Sequence, residues 1–248
     1  MPRRGKREDF LHKKSGVISR RGGSVRICLS IGAKNIEEAL RTWKRWASRV
    51  DVTEIRLDTL LKPELHALFN QKPGPVLVTN RSREEGGFFE GYERSRVKLL
   101  IRASAYGADF IDIEARTEEK LLENLKESIR GKETQLILSW HNFTGTPSQR
   151  KLREHFHRMA SMSCDIVKIV TWARKYEDNL ATLSLIPYAL RRGQKIIAFC
   201  MGPLGKPSRV LGGFLGSYLT YVSPGNNRET ASGQLKITDM LKVWRLLA

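Results

Sequence analysis

Short apolar runs alternate with amphipathic segments along most of the chain. From residue 25 onward, each run of β-branched and other apolar residues is followed by a stretch that mostly has the 3.6-residue apolar spacing of a helix. Because these runs are nearly continuously apolar, we expect parallel strands whose two faces are both covered. The runs predict eight strands, at residues 25–31, 52–58, 75–81, 109–115, 135–141, 165–172, 195–202 and 218–224.

The segments between these runs predict helices. Asn35 and Thr117 are suitable N-caps, and Gly131 and Gly193 end two of the helical patterns. The predicted helices lie at residues 35–50, 117–131, 148–162, 177–193 and 237–247, with a weaker one at 62–71.

The number of βα units and the chain length favour one architecture. A single closed (β/α)8 barrel, a TIM barrel, fits both better than an eight-unit doubly wound sheet does. We expect the α/β barrel to occupy residues 25–248 and a short basic N-terminal extension to occupy residues 1–24. A hairpin around residues 21–23 could close the N-terminal mouth of the barrel.

Polar residues collect where the predicted strands end. In a barrel, the active site forms at the C-terminal ends of the strands. Glu54 and Arg56 are two residues apart and therefore face the same side, and Asp112 and Glu114 repeat this pattern. Buried charges need partners, so such pairs indicate either a structural salt bridge or a polar site. The set comprises Ser30, Glu54, Arg56, Asp58, Arg81, Asp112, Glu114, His141, Lys168 and Ser223.

Lys168 lies in the middle of an apolar strand. Its amine either neutralises a carboxylate inside the barrel or is a reactive nucleophile that forms a Schiff base with a carbonyl group. Burial and cationic neighbours, for which Arg56 and Arg81 are candidates, would disfavour its ammonium form. His141 ends the adjacent strand, where an imidazole can transfer protons near neutral pH. These two residues are the candidate catalytic pair.

Two loops near the C-terminus could bind an anion. A glycine- and proline-rich basic loop after the seventh strand leads into a helix that is predicted to start near Ser208, with Arg209 beside it. Backbone amides at a helix N-terminus bind phosphate or carboxylate groups, although this can also be an ordinary loop. The loop at residues 223–235 is long and polar and could act as a lid, with Gln234 as a further anion donor.

Composition and short motifs argue against a membrane-spanning, secreted or metal-binding protein. No apolar run approaches the roughly 18 residues of a membrane span, and the N-terminus has no apolar signal segment. Cys28, Cys164 and Cys200 are widely spaced, which is typical of reduced thiols in a cytosolic protein. The sequence has no HExxH motif, so we expect no metal site.

The net charge of +18 allows a second interpretation of the chain. A strongly basic protein can attract nucleic acid or anionic metabolites, or can simply have a solvated basic surface. Because no nucleic-acid-binding motif occurs, we expect nucleic acid not to be a partner. A basic, non-catalytic nucleic-acid-binding barrel stays open as an alternative.

Motifs at the strand ends give a more specific indication. These motifs are Glu54-Ile55-Arg56-Leu57-Asp58, Arg81 with Glu85-Gly86-Gly87, Asp112-Ile113-Glu114, Ser139-Trp140-His141-Asn142-Phe143, Val167-Lys168-Ile169, and Met201-Gly202 with Gly205 and Ser208-Arg209. From about residue 25 to residue 247, their order and spacing resemble those of the type I 3-dehydroquinate dehydratases. The sequence departs from the family pattern at Thr230-Ala231-Ser232-Gly233-Gln234, where the family usually has S-A-P-G-Q, and at Asn142, where aspartate is commoner.

The resemblance implies a reaction and roles for these residues. 3-Dehydroquinate would lose water to give 3-dehydroshikimate in the shikimate pathway, through a Schiff base on Lys168 and with His141 as general base. Glu85 or Glu114 would orient His141, and we favour Glu85. The remaining implied residues are Arg209 and Gln234 at the substrate carboxylate, Glu54, Arg56 and Arg81 at the ring hydroxyls, Ser30 and Thr230 as lesser contacts, and Asp112, Glu114 and Met201 as supporting groups.

The resemblance also implies a cytoplasmic homodimer that needs no cofactor or metal. The nearest alternative is another lyase that forms a Schiff base in a barrel, of the class I aldolase or transaldolase type. Such enzymes often bind phosphate after strands seven and eight. The set of Glu54, Arg56 and Arg81, together with His141, argues against that alternative.

Overall fold

Parallel strands form the inner layer of the molecule. The computed structural model describes residues 25–225 and 228–247. All eight predicted strands occur within their predicted bounds. They are β1 (Ile27–Ile31), β2 (Val52–Arg56), β3 (Val76–Thr79), β4 (Phe110–Glu114), β5 (Gln135–His141), β6 (Ile166–Trp172), β7 (Lys195–Met201) and β8 (Thr220–Ser223).

These strands are arranged in a ring. Each strand from β1 to β6 pairs in parallel with the next along the chain, and β8 pairs with β1. At the remaining seam, between β7 and β8, the backbone amide of Tyr218 donates to the carbonyl of Ile196 at 2.7 Å. A ninth short strand, β9 (Leu235–Lys236), extends the sheet beside β8. The prediction of a (β/α)8 barrel is confirmed.

Helices surround this ring. Asn35 caps the first of them as predicted, because its side-chain oxygen accepts a hydrogen bond from the amide of Glu38 at 2.9 Å. The helices are α1 (Ile36–Trp46), α2 (Leu65–Asn70), α3 (Glu93–Ala105), α4 (Glu119–Ile129), α5 (Gln149–Ser161), α6 (Glu177–Leu183), α7 (Leu185–Leu190), α8 (Lys206–Leu211) and α9 (Ile237–Leu247).

One helix was not predicted, and two helical predictions need correction. Helix α3 was not predicted, because the buried residue Arg96 interrupts its apolar pattern. The helix predicted at 177–193 is divided into α6 and α7, and Pro187 lies in the first turn of α7, where its missing amide is tolerated. Thr117 is not the N-cap of α4, because its hydroxyl accepts a hydrogen bond from Arg96 instead.

The buried residues form two apolar layers. Alternation along β6 places Val167 and Ile169 in the layer between the strands and the helices, while Ile166 and Val170 face the barrel interior. The interior layer fills the N-terminal half of the barrel with side chains such as those of Cys28, Leu77 and Ile137. The polar residues at the strand ends therefore lie above an apolar floor.

The predicted N-terminal extension at residues 1–24, including the hairpin around residues 21–23, lies outside the described residues. Within the described ranges, none of the helices combines the length and the apolar character that a membrane span requires.

Candidate active site

A cavity of about 240 Å³ opens at the C-terminal ends of the barrel strands. Three of the predicted site residues, Ser30, Asp112 and Glu114, do not line it but contact residues that do. The predicted residues that line the cavity are Glu54, Arg56, Arg81, Glu85, His141, Lys168, Met201, Arg209, Thr230 and Gln234. The structure thus brings these residues to one place; of the other two predicted strand-end residues, Asp58 pairs with Arg56, whereas Ser223 does not line the cavity.

The Lys168 amine contacts a buried carboxylate and is also accessible from the cavity. Its Nζ atom donates to Asp112 Oδ2 at 2.8 Å, so it neutralises a barrel carboxylate. The same side chain lines the cavity, where it can meet a ligand. The predicted cationic neighbour, Arg81, lies on the far side of this carboxylate and donates to Asp112 Oδ1 at 2.7 Å. Asp112 is therefore shared by two cations.

This shared carboxylate stays ionised. Burial alone would raise the pKa of Asp112, but the charges of Arg81 and Lys168 outweigh burial and hold the pKa below its usual value. The hydroxyl of Ser139 adds a hydrogen bond to the same oxygen as Arg81, at 2.6 Å. The anchor of Lys168 is thus a fixed, charged group.

A second buried carboxylate extends the network away from the cavity. Glu114 Oε1 accepts from Arg81 at 2.9 Å, and Glu114 Oε2 lies 2.6 Å from Arg96 Nη1. Arg96, on α3, also donates to the carbonyl of Asn80 at 2.7 Å. Sequence reasoning missed Arg96, and the only signal was a charged residue at an apolar position of a helical pattern. The network joins the ends of β3 and β4.

Glu85, and not Glu114, contacts His141. The Nδ1 atom of His141 lies 2.8 Å from Glu85 Oε2, which also accepts the backbone amide of His141 at 3.0 Å. Because this oxygen accepts from the backbone, it is best placed to accept from Nδ1–H as well, which leaves the lone pair of the ring on Nε2. The arrangement suits a base that is oriented by a carboxylate.

Burial shifts both members of this pair toward their neutral forms. Removal from water raises the pKa of Glu85 to about 7, although Arg81 opposes the shift. Removal from water, followed by the charges of Arg81 and Lys168, lowers the pKa of His141 well below its usual value. The imidazole is therefore unprotonated at neutral pH and can accept a proton.

We expect Glu85→Gln to change the pH dependence of stability. The raised pKa means that the folded protein binds more protons than the unfolded chain between pH 4.5 and about 7, so the contribution of Glu85 is present below this window and is lost as the pH rises through it. Between pH 5 and pH 8, the wild-type protein should lose on the order of 2 kcal/mol of unfolding free energy relative to the variant. Urea unfolding at both pH values measures this, with Glu84→Gln, an exposed neighbour, as the control; parallel pH dependences of wild type and Glu85→Gln would contradict the assignment.

The partner of Arg56 differs from the one that the sequence suggested. Arg56 pairs with Asp58, through two hydrogen bonds of 2.9 and 2.6 Å, and not with Glu54. Glu54 instead accepts from the hydroxyls of Ser30 and, at 2.7 Å, Thr79. Strand β2 ends at Arg56, and the chain then turns, which brings Asp58 back alongside it. The carboxylate of Glu54 and the guanidinium of Arg56 therefore face the cavity as separate groups.

Arg209 is buried without a carboxylate partner among the described residues. Its guanidinium lies 4.4 Å from the ring centroid of Phe199, and Nη2 donates to the carbonyl of Ser232 at 3.1 Å, but Nε has no partner within the described chain. Burial lowers its pKa to about 10. An anion in the cavity would supply the missing partner.

The backbone anion site predicted beside Arg209 is not formed at Ser208. Helix α8 has only six residues and begins at Lys206. The amide of Ser208 donates to Asn179 Oδ1 at 3.2 Å, and the hydroxyl of Ser208 donates to the carbonyl of Gly205 at 2.7 Å. The side chain of Arg209 is left as the anion-binding group at this corner of the cavity.

Residues 228–234 cover the mouth of the cavity. Gln234 Oε1 accepts from the amide of Thr230 at 2.9 Å, and the Thr230 hydroxyl lies 2.6 Å from that of Ser30. Gly233 has φ = 76°, and a Cβ atom there would lie 2.2 Å from the carbonyl oxygen of Gly202. Only glycine fits this close approach, so the segment is held against the loop after β7 even though it has serine where the family has proline.

Sequence reasoning missed the aromatic walls of the cavity. Trp172, Phe199 and Tyr221 lie on β6, β7 and β8 and line it, together with Phe143 after β5. Strand alternation could have placed Phe199 and Met201 on one face, but apolar residues at such positions also occur in ordinary cores. In the described parts of the chain, no group of three potential metal ligands occurs.

Comparisons with known proteins agree with this geometry. The model of the family described as Type I 3-dehydroquinase matches residues 27–248. A 3-dehydroquinate dehydratase of Desulfotalea psychrophila is 36% identical over 217 residues, which cover 88% of this chain and 96% of that protein. One from Methanocaldococcus jannaschii is 34% identical and covers 89% and 98%. The solved 3-dehydroquinate dehydratase of Geobacillus kaustophilus has a TM-score of 0.82 at 25% identity, over 93% of this chain and 96% of that chain. The chain therefore belongs to the type I 3-dehydroquinase family.

Proposed function

We propose that this chain dehydrates 3-dehydroquinate to 3-dehydroshikimate and that Lys168 carries the covalent intermediate. The observation that carries the proposal is the position of the Lys168 amine, which lines a deep cavity together with His141 and Arg209. The cavity thus has a nucleophile, a base and an anion-binding group. This combination suits a carboxylate that bears a ketone and a leaving hydroxyl group.

The first stage is formation of the imine. His141 takes a proton from the Lys168 ammonium group, and the resulting amine adds to the C3 carbonyl carbon, while an N–H proton of the amine moves to the carbonyl oxygen to give a carbinolamine. His141 returns its proton to this hydroxyl group, which leaves as water and gives a protonated C=N bond, so the one positive charge at the lysine nitrogen is conserved. Asp112, 2.8 Å from that nitrogen, stabilises the charge.

The second stage is elimination. The protonated imine withdraws electrons from C2, so His141 can remove a C2 proton through Nε2 and form an enamine. The enamine electrons then expel the C1 hydroxyl, which leaves as water after it receives a proton from His141 or from a water that His141 positions. Hydrolysis of the conjugated imine releases the product and restores the amine.

The remaining residues bind and orient the substrate. Arg209, which lacks a carboxylate partner, would bind the substrate carboxylate, and Gln234 would assist it. Glu54, Arg56 and Arg81 would bind the ring hydroxyls, with Ser30 and Thr230 as lesser contacts. Glu85 would orient His141, while Asp112 and Glu114 would hold Lys168 and Arg81 in place, and Met201 would pack against the bound ring.

The arrangement supports this function over the alternatives. An aldolase-type enzyme that binds phosphate would need amides after β7, and the Ser208 amide is already bonded to Asn179. In a nucleic-acid-binding barrel, the buried residues Lys168, His141 and Arg209 would have no function. The rise in ultraviolet absorbance from a conjugated enone acid, when 3-dehydroquinate is added, separates dehydration from both.

Borohydride trapping tests the covalent step. Sodium borohydride added during turnover should reduce the imine and attach the substrate carbon skeleton irreversibly to Lys168. Mass spectrometry of peptides should find the adduct on that residue, and enzyme treated with borohydride alone serves as the control. An adduct on a different lysine, or none, would overturn the assignment.

Three features of the biological unit stay predictions. We expect a homodimer in the cytoplasm, in which residues 25–248 form the catalytic domain and residues 1–24 are dispensable for turnover. The three cysteines are free thiols, which agrees with a reducing compartment. Size-exclusion chromatography with light scattering tests the dimer, and assay of a chain that lacks residues 1–24 tests the division.

A further inference from the structure

The ring of Tyr221 faces the amine of Lys168 inside the cavity. Lys168 Nζ lies 4.3 Å from the centroid of the ring, over its face. Tyr221 belongs to β8, where it pairs in register with Cys28, and only 4% of it is exposed. None of the roles assigned above uses this residue.

The ring is held by its neighbours rather than by its hydroxyl. Phe199 contacts it with a distance of 5.9 Å between centroids. Within the described chain, the Tyr221 hydroxyl has no hydrogen-bond partner. Burial, followed by the electrostatic interactions with Cys28 and Glu54, raises the pKa of this hydroxyl well above its usual value, so it does not exchange protons near neutral pH. The face of the ring is therefore the part of Tyr221 that can act on Lys168.

The surroundings of the Lys168 nitrogen fit an imine better than an ammonium group. An ammonium group has three N–H donors, whereas a protonated imine on lysine has one. Among the described residues, Asp112 is the hydrogen-bond acceptor of Lys168 Nζ. The same nitrogen lies over the aromatic face of Tyr221. One acceptor satisfies the single N–H of the imine, and an aromatic face stabilises positive charge without needing a donor.

We propose that the ring face of Tyr221 positions the Lys168 nitrogen and selectively stabilises the cationic imine. This inference rests on the proposed function, because it concerns the intermediate of that reaction. Asp112 and the ring would together bind the imine, which keeps its charge but loses two of the three N–H donors. Stabilisation of this intermediate more than the resting ammonium group accelerates the reaction, which equal stabilisation of both would not.

Three variants separate the ring from the hydroxyl. Tyr221→Phe keeps the aromatic face, whereas Tyr221→Leu and the longer, unbranched Tyr221→Met remove it. The control is Tyr218→Leu, because Tyr218 also contacts cations, Arg26 at 4.6 Å and Lys195 at 5.1 Å, but does not line the cavity. Each variant is assayed for kcat/KM and for the fraction of Lys168 trapped by borohydride at saturating 3-dehydroquinate.

The ring role predicts that Tyr221→Phe stays within about threefold of wild type, while kcat/KM of the Leu and Met variants falls by about 10- to 30-fold with a parallel fall in trapping. Wild-type trapping in the Leu or Met variant would overturn the inference. An equal loss in the Phe variant would assign the effect to the hydroxyl and overturn it too. If wild-type enzyme itself gives no adduct on Lys168, the proposed function fails; if it does, only the role of Tyr221 is at stake.

Discussion

Replacing Lys168 with methionine is expected to lower kcat by about 10⁴- to 10⁶-fold, since loss of a covalent nucleophile removes most of the chemical acceleration. Methionine has a similar length and no amine, so the imine cannot form. The fold should survive, because Asp112 keeps its contacts with Arg81 and Ser139. Steady-state assay and circular dichroism of the purified variant measure both expectations.

The matched control for this variant is Lys195→Met. Lys195 begins β7 at the opposite end of the barrel and does not line the cavity. Its replacement should leave kcat within about twofold, as is usual for substitutions away from special features. Residual turnover of Lys168→Met above one per cent of wild type would mean that the amine is not essential.

Replacing His141 with alanine should separate imine formation from elimination. Removal of a positioned general base typically costs about 10²- to 10⁴-fold in rate, and here it falls on proton removal from C2. Lys168 and Asp112 stay intact, so the imine should still form slowly and accumulate. Borohydride trapping should therefore find Lys168 modified in a variant whose turnover is nearly lost.

His155→Ala is the control for the histidine. His155 lies on α5, where its ring stacks on Trp140 with 4.2 Å between centroids, outside the cavity. Its loss should leave turnover near wild type. Full activity of His141→Ala, or absence of any trapped adduct in it, would remove His141 from the proposed position in the mechanism.

The sequence predicted the strands better than the helices for a physical reason. Strands β1 to β8 are buried on both faces, so each is a mainly apolar run, with most of its polar residues near the C-terminal end. Helix α3 has a mixed pattern, because Arg96 occupies a buried position where an apolar residue would have given the signal. A charged residue that is buried by pairing cannot be distinguished in sequence from an exposed one.

The site was predictable as a set of residues but only in part as a set of pairs: the family resemblance favoured the contact of Glu85 with His141, whereas the pairing of Arg56 was not foreseen. Strand alternation and common strand ends brought Glu54, Arg56 and Lys168 together, because these depend on local geometry. The partnership of Arg56 with Asp58 depends on the turn after β2, whose conformation the sequence did not reveal. The position of Glu85 against His141 depends on the loop after β3, which reaches the end of β5. Such contacts follow from tertiary packing.

The buried guanidinium of Arg209 connects ligand supply with the stability of the folded protein. A buried charge without an anion destabilises the free enzyme, and a bound carboxylate removes that penalty. Any ligand that binds only the folded state raises the free energy of unfolding by RT ln(1 + L/Kd), where L is the free ligand concentration, so the melting temperature rises with the ligand concentration. Under the proposed function, the enzyme would therefore resist heat and proteolysis best while substrate is abundant, and it would unfold more readily once substrate is depleted.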